Sequence, residues 1–95
     1  MAKTKEVPSQ EYETMEMGKF YFLNNNFAEA VAQFESVLKI NPANAEAYYN
    51  IGLIKESANK IEEAKAMYLQ ALSIKKDYKI ASEKLNNLMG IEKDE

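Results

Sequence analysis

The chain has 95 residues, no cysteine, no histidine, three glycines and a formal net charge of −3. This length allows one domain with a modest core. The lack of cysteine excludes disulfides and thiolate metal sites, and the lack of histidine removes the usual general base near neutral pH. Nucleic-acid binding draws most of its affinity from positive charge. We therefore expect no enzyme activity, no cofactor, no bound metal and no nucleic-acid partner.

The two ends of the chain are polar. Residues 1–8 show no periodicity, so we expect a flexible tail there, and residues 91–95 form a second, charged tail. The first residues lack the apolar stretch of a secretory signal, and no apolar run approaches the length of a membrane span. We expect a cytoplasmic protein without membrane insertion, with a single folded domain over residues 9–90.

Turn and cap signals divide this domain into five helical segments and leave no strand. Ser9 after Pro8 is a helix-start signal. Asparagine tolerates the left-handed backbone of tight turns, and proline disfavours a helical residue before it. The breaks are therefore expected at Asn24–Asn26, Asn41–Pro42 and Asn59–Lys60. Asn44 and Asp77 are predicted caps, and Gly90 a helix end. The predicted helices are 10–23, 27–40, 45–57, 61–75 and 78–89.

A spacing of 34 residues relates the segments to one another. Such a period indicates one supersecondary unit, repeated and stacked, because each copy cannot bury its apolar face alone. The matching pairs are Gly18 and Gly52, Ala30 and Ala64, Phe34 and Tyr68, Leu38 and Leu72, Ile40 and Ile74, Ala47 and Ala81, Ile51 and Leu85, and Ile54 and Leu88.

The repeated residues suit two helices packed in close contact. Gly18 and Gly52 are predicted where the first helix of each pair crosses the second, because a missing side chain lets the backbones approach. Ala30 and Ala64 are small on the facing helix for the same reason, and an aromatic residue fills the space beside each of them. We also expect Thr14, Met17, Gly18 and Tyr21 to form the face of the first helix that packs on the second.

This set of residues resembles the tetratricopeptide repeat. The family pattern of Leu-Gly, Tyr, Ala, Phe and Pro is met by Met17-Gly18, Tyr21, Ala30, Phe34 and Pro42, and the stretch 45–52 is similar to the family consensus. Departures from the pattern are Thr14, Lys55 and Lys76. The resemblance covers residues 11–89, as repeats 11–44 and 45–78 and a capping helix 78–89. It implies an all-α fold in which five antiparallel helices stack as a short right-handed superhelix, an α-solenoid.

The resemblance also implies a function, since members of this family hold a peptide or helix of a partner protein in a concave groove. The first helix of each pair lines that groove. Carried over residue by residue, the groove would hold Tyr12, Met15, Glu16, Lys19 and Phe22 from the first helix, Glu46, Tyr49, Asn50, Leu53 and Glu56 from the third, and Ile80, Lys84 and Asn87 from the fifth. We expect Tyr12, Met15, Tyr49 and Leu53 to contact the partner; the alternative for Tyr49 is that it shields the helix interface.

Three polar groove residues have further possible roles. Some family members clamp a partner's C-terminal carboxylate, and Asn50 stands at a matching place. However, Met15 and Ile80 stand where that clamp needs basic residues, and Lys19 where it needs asparagine. A weaker role in attracting acidic segments remains open for Lys19 and Lys84, as does the alternative of solvated surface lysines.

The first helix is apolar on most of its sides, which is unusual for a terminal helix. Three interpretations of Phe20, Phe22 and Leu23 stay open: folding over the second helix, self-association of the chain, or an apolar patch for another protein. The leading hypothesis is thus a protein–protein interaction module, adaptor or assembly scaffold. The alternatives are a structural homo-oligomer joined through the first helix, and a chaperone for an apolar client segment.

Overall fold

The computed structural model describes residues 9–90, which form five helices and no strand. The helices are α1 (Gln10–Leu23), α2 (Phe27–Ile40), α3 (Ala45–Ser57), α4 (Ile61–Ile74) and α5 (Lys79–Leu88). The predicted all-α class is confirmed. The two predicted tails, with Pro8, lie outside the described residues.

Two of the predicted caps begin helices as expected. The Tyr12 amide donates to Ser9 Oγ at 3.0 Å at the start of α1, and the Ala47 amide donates to Asn44 Oδ1 at 2.9 Å at the start of α3. Each bond satisfies a backbone donor that the first turn leaves without a partner. The prediction for Asp77 was wrong: α5 begins one residue later, with Tyr78 at the cap position and no side-chain capping bond.

The turns inside each helix pair use asparagine in a left-handed conformation. Asn25 has φ 63° and Asn59 has φ 62°, and Gly90 ends the described chain with φ 74°. The two asparagines lie 34 residues apart, so the turn geometry repeats along with the helices. Short connections of this kind place consecutive helices antiparallel.

The most extensive packing joins α1 to α2 and α3 to α4, with smaller contacts from α2 to α3 and from α4 to α5. At the crossing of the first pair, a Cβ atom on Gly18 would lie 2.5 Å from Phe34 Cε1; on Gly52 it would lie 2.5 Å from Tyr68 Cε1. Phe34, Tyr68, Ala30 and Ala64 are completely buried. The glycines therefore let an aromatic ring lie directly against the helix backbone.

One face of α1 is exposed where the same face of α3 is buried. Ala47, Ile51 and Ile54 of α3 belong to a core cluster with Val37 of α2. Ile51 corresponds to Met17 in the first repeat, and Ile54 corresponds to Phe20. Met17 is 44% exposed and Phe20 is 57% exposed. The prediction that Met17 packs on α2 was therefore wrong, because its face is the one that a preceding helix would cover, and residues 9–90 contain no such helix.

We expect substitution of Gly18 to destabilise the fold. A Cβ on Gly18 meets the Phe34 ring, and overpacking of this kind costs about 1–3 kcal/mol. In Gly18→Ala this loss is partly offset by a gain of about 1 kcal/mol in helix propensity, whereas Gly18→Leu should be far more disruptive. Chemical denaturation measures both. Ser36→Ala, at an exposed position of α2, is the control and should stabilise slightly. Wild-type stability of Gly18→Leu would refute the close-contact interpretation.

Glu11 joins the first turn of α1 to the loop between the repeats. Its Oε2 atom accepts hydrogen bonds from Asn41 Nδ2 and Asn44 Nδ2, both at 2.8 Å. These two bonds lower the pKa of Glu11 below its ordinary value of 4.5, because they favour the charged carboxylate. A lowered folded-state pKa means that the stabilisation is complete above that ordinary value and is lost as the pH falls through the lowered one.

We therefore expect Glu11→Gln to reduce the free energy of unfolding most at pH above 4.5. The difference from wild type should shrink as the solution is acidified, because wild-type Glu11 then loses its charge as well. Urea denaturation across this acidic range measures the effect. Glu13→Gln is the matched control, since it removes a charge from the same helix turn but no side-chain hydrogen bond within residues 9–90. Equal pH profiles of the two variants would contradict the prediction.

Candidate functional site

The helices α1, α3 and α5 share one side of the molecule, and a depression of about 320 Å³ lies where they meet. Phe22 of α1, Leu53 of α3 and Lys84 of α5 line it, together with Glu56 and Ser57. Four of the residues predicted for the groove are thus brought together from three separate helices: Phe22, Leu53, Glu56 and Lys84. We call this surface the apolar part of the groove after the Phe22 ring and the Leu53 alkyl group; Glu56, Ser57 and Lys84 give the same depression charged and polar groups.

A second depression, of about 240 Å³, lies at the beginning of α1 and α3. We call it the acidic part of the groove. Its lining combines one basic, three acidic and several uncharged side chains: Ser9, Glu11, Tyr12, Met15, Glu16, Lys19, Asn44 and Glu46. Tyr12 is 56% exposed and offers its ring to solvent.

Lys19 lies between two carboxylates in the acidic part. Its Nζ atom is 3.0 Å from Glu46 Oε2 on α3 and 3.4 Å from Glu16 Oε2 on the same helix. The hydrogen bond to Glu46 is the main reason that the pKa of Lys19 is raised above its ordinary value. All three side chains are partly exposed, and pairs of this kind contribute about 0–1 kcal/mol. Lys19 is therefore charged and paired.

A cluster of three tyrosines lies behind the groove. The Tyr49 ring centroid is 5.7 Å from that of Tyr68 and 5.6 Å from that of Tyr78. The Tyr68 hydroxyl donates to Glu56 Oε1 at 2.8 Å, which satisfies a polar group on a completely buried residue. Burial raises the pKa of all three phenols above the ordinary tyrosine value. Through these ring contacts the cluster packs α3 against α4 and against the start of α5.

Met15 and Tyr49, which the sequence nominated as contact residues, lie mainly in the core. Met15 is 5% exposed and packs with Phe34 and Ile51, and Tyr49 is 8% exposed. Little of either side chain is available to a partner. Of the alternatives for Tyr49, the structure agrees with the one in which it shields the helix interface. The two residues support the groove from behind.

The other nominated groove residues reach the surface to different degrees. Asn50 and Lys84 are half-buried, and Asn87 and Ile80 are exposed on their helices. Neither Asn50 nor Asn87 makes a side-chain hydrogen bond within the described part of the chain. Sequence reasoning missed the ion pair from Lys19 to Glu46, although both residues were placed in the groove. The signal was their opposite charge on neighbouring helices that face the same side.

The three residues considered for self-association are divided between two surfaces. Phe20 and Leu23 are 57% and 79% exposed, so they do not fold over α2. With Met17 they form an exposed apolar strip at spacings of three residues along α1, which we call the end strip. Phe22 instead lies in the groove, where its ring centroid is 5.7 Å from that of Phe27.

The part of the chain that the structure describes contains neither a cluster of metal-binding side chains nor a helix able to span a membrane. Across residues 9–90, no three acidic side chains are grouped closely enough to hold a metal ion. None of the five helices combines the length and the apolar character that crossing a membrane requires.

Comparisons with known proteins identify the architecture. The family described as TPR repeat matches residues 18–57, and the family described as Tetratricopeptide repeat matches residues 45–78, so that together they span more than half of the chain. No curated protein shows a significant match.

Among solved structures, a tetratricopeptide repeat domain protein from Salinibacter ruber, determined by NMR in solution, superimposes with a TM-score of 0.78. The alignment covers 95% of this chain and 97% of that one at 20% identity, a level at which the likeness concerns the fold alone. The helix pairs, the glycine contacts at each crossing and the two family matches agree. The chain belongs to the tetratricopeptide repeat family.

Proposed function

We propose that this chain is an adaptor or assembly scaffold and that a peptide or helical segment of a partner protein occupies the groove on α1, α3 and α5. Tetratricopeptide repeats generally mediate protein–protein interaction. The observation that carries the proposal is the apolar part of the groove, where Phe22, Leu53 and Lys84 come from three different helices to form one depression. Because the depression takes side chains from several helices, its shape is fixed by the folded array. A specific docking site requires a fixed shape of this kind.

The proposed contact residues are those whose side chains remain accessible. Tyrosine, phenylalanine and leucine offer large apolar areas, and buried aromatic anchors dominate many interfaces. Lysine and asparagine around them add polar contacts at the rim. The proposed set is Tyr12, Phe22, Asn50, Leu53, Lys84 and Asn87, and Lys19 lies beside it in its ion pairs with Glu16 and Glu46. We further propose that the chain works by binding alone, without catalysis and without a cofactor.

The test is capture of partners by the purified tagged chain from a lysate of its source, followed by mass spectrometry. Wild type is compared with the double variant Tyr12→Ala/Leu53→Ala. We expect a protein that is retained by wild type and lost by the variant, since both truncations remove accessible groove surface. Titration calorimetry with the purified partner should then show binding weakened at least tenfold, because truncating a central anchor costs about 2 kcal/mol or more.

Leu69→Ala is the control for this experiment. Leu69 is exposed on α4, outside the helices that line the groove, and should be removable without effect on binding. Circular dichroism confirms that every variant stays folded. A partner that binds the double variant as well as it binds wild type contradicts the groove as the binding surface.

The end strip favours a second candidate function, self-association through α1. Two residues of the strip, Met17 and Phe20, lie 34 residues before Ile51 and Ile54, with which α3 packs on α2. Leu23 continues the same face toward the end of α1 and is exposed. A second copy of the chain, with its own α1 antiparallel to the first, would cover the apolar residues on both. The antiparallel direction keeps Glu13 and Glu16 away from their counterparts, and like charges placed opposite one another would weaken the contact.

If the end strip joins two copies, the mass in solution should rise with protein concentration in sedimentation velocity runs. Phe20→Glu should then restore the monomer, because a carboxylate cannot be buried in an apolar contact without large cost. Leu69→Glu places the same charge at a comparably exposed leucine of α4 and should leave the mass unchanged. A monomeric mass at all concentrations would exclude this candidate.

A further inference from the structure

The charges that line the groove do not balance. In the acidic part, the carboxylates of Glu11, Glu16 and Glu46 face a single ammonium group, that of Lys19. Glu56 and Lys84 in the apolar part offset each other formally. A segment entering the groove therefore meets excess negative charge at the end where α1 and α3 begin.

Lys19 is poorly placed to attract an acidic partner. Its ammonium group already lies within 3.0 Å of Glu46 and 3.4 Å of Glu16. A carboxylate of a partner approaching Lys19 would have to approach these two carboxylates as well, and like charges at short range are repulsive in any medium. The same argument opposes a free C-terminal carboxylate at this place.

A basic group fits the same position. The side chains of Glu16 and Glu46 are 48% and 49% exposed, and each carboxylate uses one oxygen for Lys19, which leaves its other oxygen as an acceptor. Exposed ion pairs are weak, so an incoming cation can share or replace Lys19 at little cost. The accessible ring of Tyr12, in the same depression, offers a face on which a guanidinium or ammonium group can lie.

The apolar part sets the second requirement. Phe22 and Leu53 offer no charge of their own, and an apolar side chain placed on them releases water from both surfaces. Both parts lie along α1 and α3, so one segment running along these helices would contact both of them. Its basic and apolar side chains would therefore have to be separate residues of the same segment.

We propose that the groove selects a basic segment of another protein, in which a lysine or arginine binds between Glu16 and Glu46 and an apolar side chain binds on Phe22 and Leu53. This inference rests on the proposed binding of a partner segment in the groove. Acidic segments are the class that it excludes.

The experiment is selection of a random peptide library, displayed on phage, against the wild-type chain. Clones that also bind Leu53→Asn, which removes the apolar contact without adding charge, are discarded, so that only groove-dependent peptides remain. We expect lysine or arginine together with apolar residues to be enriched in them. Enrichment of acidic residues, or of no charge, overturns the basic segment while leaving groove binding intact. Failure to recover any groove-dependent peptide overturns both proposals.

Synthetic peptides from this selection are then titrated by fluorescence anisotropy against two variants. Glu16→Gln/Glu46→Gln should weaken binding about threefold to tenfold, the range expected for losing two exposed charge pairs. Lys19→Gln should strengthen binding, because it removes the internal competitor for the two carboxylates. A weaker affinity of Lys19→Gln would show that Lys19 itself contacts the ligand and would contradict the proposal.

Two control variants separate the site from the general charge of the protein. Glu35→Gln/Glu62→Gln changes the net charge by the same amount at exposed acidic residues on α2 and α4. Lys65→Gln removes the lysine of a comparable exposed pair with Glu62, whose atoms are 3.2 Å apart. Both should leave the affinity within twofold of wild type. An equal effect of the control and groove variants would mean nonspecific attraction and would overturn the site.

Discussion

The close contact between a glycine and an aromatic ring is the constraint on which the rest of the structure depends. At Gly18 and at Gly52 the ring of the facing helix occupies the space where a Cβ atom would lie. This contact sets the distance between the two helices of each pair. The pairs then stack through smaller contacts, and the stacking brings α1, α3 and α5 to one side. The groove is therefore a consequence of the packing behind it, in which Phe22 and Leu53 also take part through their contacts with the two core clusters.

The same repeated unit meets different surroundings at its two ends, and this explains why the end strip of α1 is exposed. Ile51 and its neighbours in α3 are covered by α2, whereas the corresponding face of α1 has no neighbour among residues 9–90. At the other end, α5 carries polar residues on the corresponding face. Ser82 stands where the two repeats have Thr14 and Tyr48, and Asn86 stands where they have Gly18 and Gly52. The repeat pattern thus predicts which face of a helix each residue occupies. Whether that residue is buried depends on whether another helix packs on that face.

Helix number, helix type and most boundaries could be predicted from the sequence because they depend on local signals: caps, asparagine turns and the 34-residue period. The prediction failed at Asp77, since its neighbour Tyr78 takes the cap position. Within the groove, membership of a helix face could be predicted but accessibility could not. Met15 and Tyr49 lie on the groove side yet are covered by neighbouring helices. The pairing of Lys19 with Glu46 depends on side-chain geometry between helices, which no periodicity encodes.

The order in which the helices pack has a consequence for local unfolding. The third helix contacts neighbours on both sides, while the first and fifth are each held mainly by one other helix. In a linear array, terminal elements open at lower free energy than central ones. The groove takes side chains from one central helix and from both of these end helices. A ligand that spans the groove would therefore oppose local unfolding of both end helices. Part of its binding free energy would then appear as slower amide hydrogen exchange throughout α1 and α5, although the ligand contacts these helices only at their surface.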